Sequence, residues 1–138
     1  MRYLIDTNIL SEPLKPKPDE QVVSLMKQHT SDIAIAVITW HEMLFGYHRL
    51  PESRRKEKIE RYLTLTEETF LILPYTIEAS VWHSKERARL TNIGQPPSFP
   101  DSQIAAIAVV NDLSVVTRNI DDFKNFQGLQ TENWFQDF

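Results

Sequence analysis

Four acids stand where a chain seldom leaves a carboxylate without a chemical role, and they are Asp6, Glu42, Asp101 and Asp122. Asp6 ends the apolar run Tyr3-Leu4-Ile5 in "YLIDTNIL". Glu42 shares a helix face with Ile38, Phe45 and Gly46, read as apolar and half-buried, where an unpaired charge costs free energy. Asp101 heads "DSQIAAIAVVND", and Ile104, Ala105 and Ala108 continue its stripe. Asp122 follows the apolar "LSVVT" in "TRNIDDF". Each has an ordinary structural explanation when taken singly. Asp6 can cap "TNILSE", and Glu42 can be a surface residue at a helix boundary. Ser98 can be the N-cap with Asp101 at N3 and Pro100 in the first turn. Asn119 can cap a turn that places Asp121 or Asp122 at a positive helix end.

Taken together, the four suggest a different chemistry. Clustered carboxylates repel one another unless cations neutralise them. Hard oxygen ligands in a chain without cysteine favour Mg²⁺ or Mn²⁺. Such ions activate water and stabilise the charge that develops on a phosphodiester.

The elements that must bring these acids together alternate in type. Strands are expected at "RYLI", "DIAIAVI", "FLIL" and "LSVVT", with a last short strand or turn in "GLQTENWFQDF". Helices are expected from Thr7 to near Glu12, from Asp19 to about His29, and from Thr39 to Leu50. Three more are expected over "ESRRKEKIERYLTLTEE", "TIEASVWHSKERARLTNIG" and "DSQIAAIAVVND". In the fourth of these six, Ile59, Tyr62 and Leu63 share a face. In the fifth, Ile77, Val81 and Ala88 form the apolar stripe, and Gly94 supplies the stop. Strands alternating with helices argue for an α/β fold with a mostly parallel sheet covered on both faces. Ligands in such folds sit beyond the carboxyl ends of the strands, where Asp6 is placed.

At 138 residues the chain is read as one domain, 1–138. No apolar run approaches the roughly 18 residues of a membrane span, and no signal peptide is evident. With no cysteine, disulfides and thiolate metal sites are excluded. The expected location is the cytoplasm. A formal charge of -4 excludes nucleic-acid binding through bulk charge. Any polyanion must be met by bound cations or local patches such as Arg54 and Arg55, or Lys85 and Arg87. The plain alternative for both patches is a solvated, salt-bridged helix face. His41, His48 and His83 are read as structural or surface residues, and Trp40, Trp82 and Trp134 as packing.

"LIDTNIL", "ITWHEMLFGYHRL", "PSFPDSQIAAIAVVNDLSVVTRNIDDF" and "GLQTENW" together resemble a PIN-domain ribonuclease of the VapC toxin type, nearly end to end. The resemblance implies a PIN-like α/β/α sandwich and an endoribonuclease dependent on Mg²⁺ or Mn²⁺. It also implies a VapB-like antitoxin partner, within a homodimer or a toxin–antitoxin hetero-oligomer. Carried over by motif, the acids are Asp6, Glu42, Asp101 and Asp122, with Asn8, Thr117 and Asn119 as the polar residues around them. An amide at Asn119 leaves the fourth carboxylate to Asp122 or Asp121, and the T-x-N-x-x-D-F spacing favours Asp122. "SEPLKPKP" and the charged helix from Glu52 are expected to border a groove for an antitoxin helix. Two other readings compete: a non-catalytic PIN-like module that binds RNA or a partner, and a phosphotransfer domain with Asp6 as nucleophile. The second lacks a further Asp beside or two residues after Asp6 and a well-placed Lys after the fourth strand.

Overall fold

Short apolar strands, covered on both faces, set the frame of the molecule, which we describe from a computed structural model covering residues 1–137. Strands β1 (Tyr3–Ile5), β2 (Ile33–Ala36), β3 (Leu71–Leu73), β4 (Ser114–Val116) and β5 (Thr131–Glu132) form one sheet in the order β3-β2-β1-β4-β5. Every pairing is parallel, with Leu4 opposite both Ala34 and Val115. Among the described residues six α-helices connect them: α1 (Thr7–Leu10), α2 (Glu20–Gln28), α3 (Val37–His48), α4 (Arg54–Thr69), α5 (Ile77–Asn92) and α6 (Phe99–Val110).

Alternate strand residues feed two separate cores. Leu4, Ala34, Ala36 and Val115 face Ala79, Leu90, Ile104, Ala105 and Ala108 of α5 and α6. Tyr3, Ile5, Ile33, Ile35 and Val116 face Ile9, Leu10, Val22, Met43 and Leu63 of α1 to α4. The result is the expected three-layer sandwich, with a sheet that is wholly parallel. The chain runs outward from β1 to β2 and β3, then returns to the other side of β1 for β4 and β5. The strand order therefore reverses between β1 and β4, which opens a crevice at their carboxyl ends.

Two expectations are corrected. Helix α3 begins at Val37, not after Thr39. Val37 and Ile38 are β-branched and read as strand, but sheet pairing stops at Ala36 opposite Leu73. The apolar stripe expected on α5 is its outer face. Ile77 is 86% exposed, and Val81 and Ala88 also face solvent. The buried side carries Ala79, His83, Glu86 and Leu90. The Tyr75 hydroxyl lies 2.7 Å from His83 Nδ1 and gives that ring a polar partner. Glu86 receives two bonds from Arg89 and one from the Gln127 amide. The stop at Gly94 holds, in a left-handed conformation (φ +77°) that glycine tolerates.

Candidate metal and catalytic site

Asp6 leaves β1 at the strand-order switch, and its neighbours fix it from both sides. Its amide donates to the Val116 carbonyl of β4 (2.9 Å), locking the strand end. Oδ1 accepts the Thr7 amide (2.8 Å), so Asp6 does cap α1. Oδ2 accepts the Thr117 hydroxyl (2.9 Å) and a longer contact from Asn8 Nδ2 (3.5 Å). Asn8 Nδ2 also lies 3.3 Å from Thr117 Oγ1. The Arg118 amide donates to Asn8 Oδ1 (3.0 Å), so the Asn8 NH₂ must face the Asp6–Thr117 pair. The Tyr62 hydroxyl donates to the Leu10 carbonyl, tying the far end of this short helix to α4.

Asp101 enters from the other layer. Ser98 is the N-cap of α6, and its hydroxyl accepts the Asp101 amide (3.2 Å). The capping expectation is thus correct, and it leaves the half-buried carboxylate at the crevice. Asp122 is the last residue of a short 3-10 turn, Ile120–Asp122, pinned on one side by the buried Thr117 and on the other by the buried Phe123.

The three aspartates share a field. Burial raises the pKa of Asp6, and the charges of Asp101 and Asp122 raise it further, against the opposing bonds from Thr7 and Thr117. Burial likewise raises Asp101, opposed by Ser98 and reinforced by Asp122. It is therefore Asp122 that faces the cluster. Asp121 turns outward, 3.7 Å from Lys124 Nζ. Among the described residues, no Lys or Arg pairs with Asp6, Asp101 or Asp122.

Two site expectations change. Glu42 does not sit on a buried face: Glu42 and Gly46 are exposed, and Phe45 is 51% exposed. Helix α3 buries Thr39 and Met43 instead. Glu42 lines a groove with Thr7, the neighbour of Asp6, and among the described residues nothing bonds it to the aspartates. The Asn119 side chain caps nothing; its contribution is the backbone amide, which donates to Thr117 Oγ1 (3.0 Å).

Among the described residues no three acidic or histidine side chains stand close enough to enclose an ion as they are placed. Their chemistry nonetheless fits a hard divalent cation. The donors are all carboxylate oxygens, the charges of Asp101 and Asp122 weigh on Asp6, and no protein cation neutralises them. Like charges hold such side chains apart, and a cation removes that repulsion.

The groove measures about 940 Å³. Ser11, Leu14, Lys15 and Pro16 form one wall, and Arg54, Arg55, Lys58 and Ile59 of α4 the other, so the two segments expected to border a groove do meet. Lys85 and Arg87 lie on α5, in the opposite layer. There the Arg87 guanidinium covers the Phe99 ring at 5.3 Å, beside the start of α6. Of the histidines expected in structural or surface roles, His83 is buried and His41 and His48 are exposed; of the tryptophans expected to pack, Trp134 is buried and Trp40 and Trp82 are half-buried.

Sequence reading missed three residues. Thr39 is buried with a hydroxyl that has no partner among the described residues, three positions before Glu42. Glu12 is buried, with Oε2 accepting the Asp19 amide (2.8 Å) and Lys15 Nζ 2.9 Å from Oε1 at an angle poor for hydrogen bonding. Arg118 is fastened to the site through Asn8. Its position between Thr117 and Asn119 was the available signal.

Residues 3–129 match the PIN domain family. The chain belongs to the PIN-domain family. Toxin FitB of Neisseria gonorrhoeae is 30% identical over 127 residues, spanning 87% of this chain and 89% of FitB. Ribonuclease VapC2 of Haemophilus influenzae is 28% identical over 137 residues, spanning 97% and 98%. Among solved structures, FitAB bound to an IR36 DNA fragment superposes with a TM-score of 0.88 at 27% identity, covering 99% of this chain and 98% of that one. DNA-bound VapBC from Salmonella typhimurium gives 0.85 at 28% identity, covering 97% and 98%. This PIN domain therefore shares its fold with them across almost its whole length.

Proposed function

We propose that the protein is an endoribonuclease dependent on Mg²⁺ or Mn²⁺, the toxin of a toxin–antitoxin pair, inhibited by a VapB-like antitoxin. The observation that carries this reading is the set of three mutually repelling, cation-free aspartates at the β1–β4 switch. The relatives named ribonuclease VapC and toxin FitB support it.

Asp6, Asp101 and Asp122 would hold the ion, with Glu42 on the groove wall as the fourth carboxylate. A bound divalent ion supplies positive charge for the scissile phosphate and acidity for a water. The chain's own residues do the rest. Thr117 and Asn8 orient Asp6 Oδ2, and Thr7 holds Oδ1. Burial and the charge of Asp122 raise the pKa of Asp101, which, unlike Asp6, accepts no bond from Thr117 or Asn8. It is the carboxylate we assign to take the proton of the attacking water. Thr117, locked by Asp6 and the Asn119 amide, keeps the turn that carries Asp122 in place.

The groove lining combines the apolar Leu14, Met43, Leu50 and Ile59 with the cations Lys15, Arg54, Arg55 and Lys58, which suits an amphipathic antitoxin segment. Solved relatives are VapBC and FitAB complexes, which supports a hetero-oligomer. No described helix is long and apolar enough to cross a membrane, and the proposed place of action is the cytoplasm. The test is induced expression of wild type and Asp6→Asn with mapping of RNA 5′ ends. New ends at a few sites only with wild type are expected; identical ends from both would overturn the assignment. Hydrogen exchange should show protection of residues 11–18 and 52–59 on antitoxin binding.

A further inference from the structure

Arg118 lies one residue beyond Thr117, just past the end of β4, and its side chain reaches Phe135, which belongs to the core beneath α1 to α4, in the layer opposite Asp101. Its guanidinium rests 4.3 Å over the Phe135 ring. It donates twice to Asp137, Nη2 to Oδ1 (2.9 Å) and Nε to Oδ2 (3.3 Å). Asp137 is placed by the segment after β5. Trp134 and Phe135 are buried, Gln21 Nε2 donates to the Trp134 carbonyl (2.8 Å), and the Gln136 amide donates to Asp19 Oδ2 (3.0 Å). Asn133 adds a bond to Asp137 (3.2 Å). Two more acids, Glu12 and Asp19, act on the same guanidinium.

Two features point beyond a structural staple. The pair is open to solvent, with 47% and 41% of the side chains exposed, so little is lost when another anion takes the place of Asp137. The fork that grips Asp137 is also the geometry that grips a phosphodiester. The Arg118 amide donates to Asn8 Oδ1, and Asn8 Nδ2 lies 3.5 Å from Asp6 Oδ2, so the residue that carries this charge is tied by its backbone to the aspartate site of a net acidic protein.

We propose that Arg118 binds a phosphate of the RNA strand flanking the scissile one. Asp137 competes with RNA for it, and the Asn133–Asp137 segment is a built-in brake on substrate binding. This rests on the ribonuclease reading above.

The test is steady-state cleavage of a fluorogenic single-stranded RNA, with Mg²⁺ or Mn²⁺, by the full chain and by Arg118→Gln, Arg118→Lys, Asp137→Asn and the Gln–Asn double variant. Arg118→Gln should raise KM about five- to tenfold with kcat nearly unchanged, and should flatten the salt dependence of RNA binding by about 0.7 in log–log slope. Arg118→Lys should recover part of the KM. Asp137→Asn should lower KM about threefold, and only when Arg118 is present. An unchanged KM in Arg118→Gln overturns the proposal, as does an Asp137→Asn effect that persists without Arg118. A lower Tm with unaltered KM would assign Arg118 to stapling alone. If the wild type cuts no RNA with either metal, the ribonuclease reading itself falls and takes the proposal with it. Cleavage that is indifferent to these variants sinks only the proposal.

Discussion

Glu12 and Glu86 are as buried as Asp6, yet the chain surrounds them differently. Burial would raise Glu12, but Lys15 and the Asp19 amide outweigh it and hold its pKa low. Glu86 is held low first by the Arg89 fork, against burial, with help from the Gln127 amide. Asp6 and Asp101 receive no cation and are raised. Acids that serve the fold bring their counter-charges in the sequence; the crevice acids are left for a charge that comes from outside. That separation can be attacked from either side.

The largest effect should come from Asp101→Asn. RNA cleavage should fall at least about a hundredfold. Thermal melting of the metal-free protein should rise by about 2–4 °C, since one repelling charge is gone. Loss of both activity and stability would place Asp101 with the structural acids. Thr117→Val comes next. It removes the hydroxyl that orients Asp6 and should cost about 10–100-fold in cleavage, read as kcat/KM, with little change in secondary structure by circular dichroism. Glu86→Gln should do the opposite of Asp101→Asn, lowering Tm by about 4–8 °C while leaving kcat of the folded enzyme intact.

The smallest effect is in pH. Glu12 and Glu86, depressed in the folded state, stabilise it above the ordinary carboxylate range near 4, and that contribution is lost as pH falls through their folded values. Asp6 and Asp101, raised in the folded state, carry a penalty above their folded values that is relieved as pH falls. Mn²⁺ at tenfold over its Kd should therefore add about 1.4 kcal/mol at neutral pH. It should add nothing once Asp6 and Asp101 are protonated, as melting scans at neutral and at acid pH would show.

Much of this arrangement was legible in the chain. Asp6 was marked by an acid ending an apolar run, and Asp101 by its place at the head of an apolar helix stripe. Both signals are local, because strand ends and caps are written in neighbouring residues. The buried face of α5 was not legible, since periodicity counts His83 and Glu86 as polar. What permits their burial is Tyr75, Arg89 and the Gln127 amide, and the last of these is brought near only by the fold. The buried face expected around Glu42 failed for a related reason. Helix α3 is apolar nearly all round, so its rotation was set by packing of Thr39 and Met43 and not by pattern. The T-x-N-x-x-D-F spacing already favoured Asp122 over Asp121, and the turn supplies the physical reason by directing Asp121 to Lys124 and Asp122 to the cluster.

The most direct measurement is calorimetric titration of Mn²⁺ into the wild type and Asp101→Asn. One saturable class of site is expected in the wild type, lost or greatly weakened in the variant. Equal binding by both, or cleavage of RNA by a wild type that binds no divalent ion, would contradict the assignment of these aspartates to a metal.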